Sequence, residues 1–260
     1  MPRLPHPPEY YYRLQDAAHR RATGLFIAPG RKLLTEALRS LSLDRFHAIL
    51  YDQAELPPFL PSPLNERAFP LPSWQIRRIS GQETPDGFVT ILRLPQPYLF
   101  PPFPPAVLVE RLQDPGNLGT LIRSMEWLGW KHLWLTADSA DPFSPKAVRA
   151  SMGSLFRLNV QRTDRWDELL QGYEGRCIVA ALKGIPAHEV DWSQYDSLYI
   201  GSEAHGVQRA PQRWPKVSIP PDPLSQAESL NAAVAAALLL YVQREVRAGR
   251  IHTSPPPPPF

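Results

Sequence analysis

Three short stretches hold residues whose types and spacing could do chemistry, and each follows a segment that reads as a strand. The first is 114–123, where Asn117 can cap a helix, Gly119 allows close backbone approach, and Arg123 lies well inside the helix that follows. The second is 201–206, a turn bracketed by Gly201 and Gly206 that presents Glu203. The third is 217–247. Its first half is a loop, because Pro220, Pro221 and Pro223 can neither continue a helix nor supply ladder donors. Its second half is an Ala/Leu-rich helix with Ser229 as N-cap and Asn231 in the first turn. Backbone amides and carbonyls exposed beside small residues make a seat for a small ligand. Taken singly, each stretch has a plainer reading: a capped helix with an exposed arginine, a loop with a solvated acid, a buried core helix. Loops after the strands of an open α/β sheet are nonetheless where such sheets bind ligands.

Several other chemistries lack their signatures. No G-x-G-x-x-G and no G-x-x-x-x-G-K-[ST] follows a strand, and G-x-S-x-G is absent. The seven histidines show no ligand spacing, and Cys177 is the only cysteine, so neither a metal centre nor an internal disulfide is expected. The longest apolar run, 232–242, is too short to span a bilayer, and no secretory leader is visible, so a cytoplasmic location is expected. A formal net charge of +3 hides an asymmetry: residues 1–105 carry 12 Lys/Arg against 9 Asp/Glu, and the remainder is balanced. Only five basic residues are lysines, and arginine suits bidentate phosphate contacts and stacking on bases.

The elements that must position these residues fall into two groups. In the first, 9–21 reads as a helix with a basic end, 25–28 and 46–51 as strands, 32–41 as an amphipathic helix, 57–72 as a proline-rich connection, 73–79 as helical and 87–94 as a strand. This describes a small α/β domain over 1–94. Residues 95–105 hold six prolines and form a stiff linker. From 106 to 250 strands and helices alternate, which predicts a parallel sheet covered on both faces. The tail 251–260 contains five consecutive prolines and reads as a polyproline II extension.

In this order and spacing the three stretches resemble the signature motifs of the SpoU family of RNA ribose 2′-O-methyltransferases, within the SPOUT superfamily. N-x-G-x-x-x-R matches Asn117, Gly119 and Arg123; G-x-E-x-x-G matches Gly201, Glu203 and Gly206; I-P followed by S-L-N matches Ile219, Pro220, Ser229, Leu230 and Asn231. The stretch 145–153 is similar to a segment common in the family's ribosomal-RNA-type members, and 24–94 resembles the substrate-binding domain often fused in front. The chain departs from the pattern at Pro221, where the family often has methionine, and in a longer segment between Pro220 and Ser229.

The resemblance implies an α/β fold whose C-terminal parallel-sheet domain carries a deep trefoil knot, behind a small N-terminal α/β domain. It implies an S-adenosylmethionine-dependent enzyme acting on a ribose 2′-OH, with 23S-type ribosomal RNA favoured; a tRNA methyltransferase and a silent RNA-binding protein are the alternatives. Cofactor contacts fall to Leu182, Gly201, Ile219 and Leu230, and catalytic roles to Asn117, Arg123, Glu203, Ser229 and Asn231. RNA contacts are expected at Arg20, Arg21, Arg31, Lys32 and Arg149, and a homodimer is expected through the knot region.

Overall fold

The computed structural model describes residues 4–55, 60–97, 103–202 and 205–250. Glu203, the middle of the proline-rich linker and the polyproline tail lie outside the described residues. The chain divides into two compact units, Met1–Pro97 with Asp141–Arg157, and Tyr98–Ala140 with Leu158–Phe260.

The first unit opens on two short helices, α1 (Pro8–Tyr12) and α2 (Ala17–Thr23), where the sequence suggests one. The break is at Asp16, whose backbone is extended and whose carboxylate accepts from the Ala18 N–H, so it caps a new helix instead of continuing the old one. Four strands follow: β1 (Leu25–Pro29), β2 (Phe46–Asp52), β3 (Ala68–Leu71) and β4 (Phe88–Arg93), with α3 (Arg31–Ser40) and α4 (Ser73–Ser80) between them. Their order is β1-β4-β2-β3, with β4 antiparallel to both neighbours and β2 parallel to β3. Strand β3 lies inside the stretch read as a proline-rich connection; Pro70 is tolerated because β3 is the sheet edge. Leu25, Ile27, Leu50, Val89 and Ile91 form its core with Ile76 and Ile79 of α4.

The second unit is a six-stranded sheet, all of whose pairs are parallel. It contains β5 (Val107–Val109), α5 (Pro115–Trp127) and β6 (His132–Thr136), and α6 (Pro145–Ser151) then belongs to the first unit. It resumes with β7 (Asn159–Thr163), α7 (Trp166–Gln171), β8 (Cys177–Pro186), β9 (Ser197–Ile200), β10 (Lys216–Ser218) and α8 (Ala232–Arg247). The order is β10-β8-β9-β5-β6-β7. Strands β5 and β9 are buried at every position, as the apolar runs VLV and SLYI require of strands covered on both faces.

Residues 141–157, which the sequence reading places in the second domain, group with the first unit for identifiable reasons. Arg20, buried at 3% exposure, donates Nε to Asp141 at 3.0 Å and Nη1 to the carbonyls of Leu14 and Gln15 at 2.7 and 2.8 Å. Arg157 donates to Glu36 at 2.8 Å, and Phe143 packs on Phe26 with ring centroids 5.1 Å apart. Removing one partner of a buried pair such as Arg20–Asp141 typically costs about 3–5 kcal/mol, because the other charge is stranded.

Candidate active site

The site residues of the second unit sit on loops at the carboxyl ends of three strands. β10, β8, β9 and β5 are consecutive and parallel in the sheet, so the segments that leave β5, β9 and β10 rise from one carboxyl edge. The helices that frame them, α5 and α8, pack on one another.

After β5 the chain turns through Arg111, at φ +56°, and enters α5. Asp114 caps this helix: its carboxylate accepts from the Asn117 N–H at 2.8 Å, and Pro115 occupies the first helical position. The expectation that Asn117 is the cap is therefore corrected. Asn117 lies in the first turn, which leaves its side chain outside the capping role. Leu118, Leu121, Ile122 and Met125 are buried on the inner face of α5, and Arg123 is exposed on the other. Among the described residues Arg123 forms no carboxylate ion pair.

The turn after β9 requires its glycines. A Cβ on Gly201 would stand 1.8 Å from the backbone carbon of Gly206, so any side chain would force the turn open. The Gly206 N–H closes the turn on the Ser202 carbonyl at 2.8 Å.

Residues missing from the sequence reading hold this turn in place. Glu110 is 1% exposed at the end of β5. Its Oε2 accepts from the Tyr199 hydroxyl at 2.7 Å and from the N–H groups of Gln208 and Arg209, both at 3.1 Å. Tyr199 accepts in turn from Trp166 Nε1 at 2.8 Å. Burial, and then the Glu110 carboxylate, push the Tyr199 phenol far above its ordinary range, so it stays protonated as a donor. The one sequence signal was an acid ending an otherwise apolar strand, AVLVE.

The third loop leaves β10, and every residue from 220 to 231 is exposed. Asn231, not Ser229, caps α8: its Oδ1 accepts from the N–H groups of Ala233 and Val234 at 3.0 and 3.3 Å. Ser229 lies two residues earlier on the exposed loop. β8 and the loop before α8 leave apolar side chains partly exposed, with Leu182 72%, Ile185 43% and Leu230 45% exposed. Gly201 is buried and Ile219 half-buried.

The residues expected to meet RNA lie in the first unit and do not share one environment. Arg21 and Lys32 are exposed. The Arg31 guanidinium reaches Glu55 at 3.2 Å and stacks 4.1 Å over the Phe88 ring. Arg20 is a correction: its guanidinium is enclosed and bound to Asp141 and two carbonyls, so it presents nothing to a phosphate. Arg149 is half-buried on α6, and burial lowers its pKa from the usual arginine value.

An all-parallel sheet with glycine-bracketed and proline-rich loops over its carboxyl edge is the frame of an α/β enzyme domain that holds a small ligand at the strand ends. The model of the SpoU rRNA Methylase family matches residues 104–241, and the chain belongs to that family. The chain is 35% identical over 178 residues to an uncharacterized tRNA/rRNA methyltransferase of Synechocystis, covering 65% of this chain and 64% of that protein. Thus it spans a little under two thirds of that relative's length. It is 29% identical over 232 residues to the 23S rRNA (guanosine(2553)-2′-O)-methyltransferase RlmP of Bacillus subtilis, covering 88% and 92% of the two chains. Among solved structures it is similar to the SpoU methyltransferase AviRb from Streptomyces viridochromogenes in complex with AdoMet. That similarity has a TM-score of 0.78 and 26% identity, over 93% of this chain and 97% of that one. No helix among the described residues is long and apolar enough to cross a membrane.

Proposed function

We propose that the protein transfers a methyl group from S-adenosylmethionine to a ribose 2′-OH of ribosomal RNA, of the 23S type. The observation that carries this reading is the coincidence of family and site. The three motif loops stand on one carboxyl edge, and the related RlmP and AviRb bear names that specify this chemistry or this cofactor.

The residues present fit the cofactor. Leu182, Ile185 and Leu230 are apolar side chains left partly exposed, which suits the faces of an adenosyl group. Gly201 and Ile219 bring backbone to the same edge with little or no side chain in the way at the glycine. Leu182, Gly201, Ile219 and Leu230 would hold the cofactor, which supplies when bound an activated methyl carbon and a neutral thioether leaving group.

The protein's own task is then to place the hydroxyl and assist the loss of its proton. A guanidinium keeps its proton at any working pH, so Arg123 is not a general base. Exposed, and without a carboxylate ion pair among the described residues, it is suited to bind the phosphate beside the target ribose and orient the sugar. Asn117 stands about one and two-thirds turns before it on α5, and Asn231, whose amide plane the α8 cap fixes, would position the hydroxyl together with Ser229. Glu203 would steady the arginine or asparagine.

The N-terminal domain, residues 1–94, would select RNA. A cytoplasmic location and a homodimer through the knot region belong to the same reading. On α8, Val234, Leu238 and Tyr241 are 45, 42 and 44% exposed at a spacing that puts them on one stripe, which supports a second copy packing there.

Calorimetry with S-adenosylmethionine tests the cofactor assignment. Saturable binding at one site per chain is expected, and Leu182→Asp and Leu230→Asp, at exposed positions that leave the core intact, should abolish it. No heat at millimolar cofactor would remove the enzyme reading.

A further inference from the structure

One corner of the first unit holds three guanidinium groups on carbonyl oxygens, and none of the three forms an ion pair among the described residues. The turn Leu43–Arg45 leads into β2, whose Phe46 pairs with Leu92 of β4. Arg45 donates through Nε and Nη2 to the Arg93 carbonyl at 3.1 and 2.7 Å, and Arg93 donates through Nε to the Asp44 carbonyl at 3.1 Å. Arg67 Nη1 donates to the carbonyls of Leu43, at 3.1 Å, and Phe46. Arg67 and Arg93 thus hold the turn from outside, and Arg45 ties it back to β4. Elsewhere in this unit, Arg20, Arg31 and Arg157 are anchored on Asp141, Glu55 and Glu36. A carbonyl orients a guanidinium but leaves its charge intact, and each of the three keeps further N–H donors beyond those used here.

The surroundings show the resulting field. Asp44, fully exposed, is the acid whose charge reaches both Arg45 and Arg93. Glu66, next to Arg67 in the chain, is exposed and forms no ion pair among the described residues. The pKa of His47, the second residue of β2, is driven down to about 4 by burial and then by the neighbouring Arg93, His6 and Arg67. Aromatic surface adjoins the corner: the His6 ring stacks 4.0 Å from Tyr10 and lies 5.8 Å from His47. Three like charges gathered on one turn repel one another, a cost that an incoming anion would turn into binding.

We infer that Arg45, Arg67 and Arg93 form a phosphate-binding site for RNA on the first unit, taking the place that the sequence gives to Arg20. The inference rests on the RNA reading above. Pre-oriented guanidinium forks match phosphate oxygens bidentately, and contacts of this kind fix the register of an RNA strand without reading its bases.

The test titrates the full chain with a fluorescein-labelled RNA hairpin at rising KCl, for wild type, Arg67→Gln, Arg93→Gln and the lysine variants at both positions. Each glutamine variant should shallow the slope of log K against log salt by about 0.7–0.9 and weaken binding about eightfold near ~0.1 M salt. The lysine variants should keep the wild-type slope, which separates charge from any loss of fold. Arg165→Gln, at an exposed arginine paired with Glu168 in the second unit, should change nothing. Wild-type slope and affinity in both glutamine variants would overturn the site. Polyglutamate competing as well as an equal charge of RNA would make the corner a general anion surface and overturn the RNA assignment. A wild type that binds S-adenosylmethionine but not the hairpin would bring down the RNA part of the functional reading, and this site with it.

Discussion

The Tyr199 hydroxyl donates to Glu110 Oε2 at 2.7 Å, and through that bond the end of β5 is tied to its neighbour β9. The same oxygen accepts the N–H groups of Gln208 and Arg209, so one buried carboxylate sets where the turn after Gly201 returns to the sheet. Motifs far apart in sequence are in this way held in one frame by a residue outside any motif.

Glu110→Leu would strand the buried Tyr199 hydroxyl and take their acceptor from the N–H groups of the exposed Gln208 and Arg209. An unsatisfied buried donor costs about 1–3 kcal/mol, so a loss in that range is expected, with S-adenosylmethionine binding lost as the loop is released. Glu110→Gln keeps an acceptor and should lose less than about 2 kcal/mol while still binding the cofactor more weakly. Denaturant unfolding and calorimetry on both variants check this. Wild-type behaviour of Glu110→Leu would show that the carboxylate does not hold the loop.

Asn231 caps α8 with two accepted hydrogen bonds, so Asn231→Ala should cost about 0.5–2 kcal/mol and Ser229→Ala close to nothing. Thermal unfolding of the two variants distinguishes them. Equal losses would return the cap to Ser229.

The neutral state of His47 predicts an acid-sensitive first unit. Its folded pKa, about 4, lies below the ordinary 6.5, so the unfolded chain binds a proton through this window and the folded chain does not. Stability from this group is complete above about 6.5 and is lost as pH falls toward about 4. His47→Gln should flatten that part of the stability-against-pH curve, measured by urea unfolding at successive pH values. A curve identical to wild type would contradict the assignment.

Much of this was legible locally. Apolar runs such as VLV and SLYI announced buried parallel strands, and the three motifs announced the family. The errors came from choices that local sequence leaves open. Both Asp114 and Asn117 can cap a helix, as can Ser229 and Asn231; Pro115 in the first helical position marks Asp114 in retrospect. Pro70 hid β3, because a proline strand is possible only at an edge and edge position is a tertiary fact. The placing of 141–157 with the first unit, and with it the fate of Arg20, depends on Arg20 meeting an aspartate 121 residues away. Glu110 matters through donors from 199, 208 and 209, none of which its neighbours in the chain foretell.

The central claim is ribose methylation. Wild type and Arg123→Ala would be incubated with unmodified 23S rRNA transcript and methyl-labelled S-adenosylmethionine, and the RNA then hydrolysed in alkali. A 2′-O-methyl group blocks cleavage at its own phosphodiester, so wild type should yield label in an alkali-resistant dinucleotide. Arg123→Ala should bind the cofactor normally and transfer at least about a hundredfold less, the loss expected when a group that orients the reacting atoms is removed. Label released with ordinary mononucleotides, or undiminished transfer by Arg123→Ala, would contradict the account.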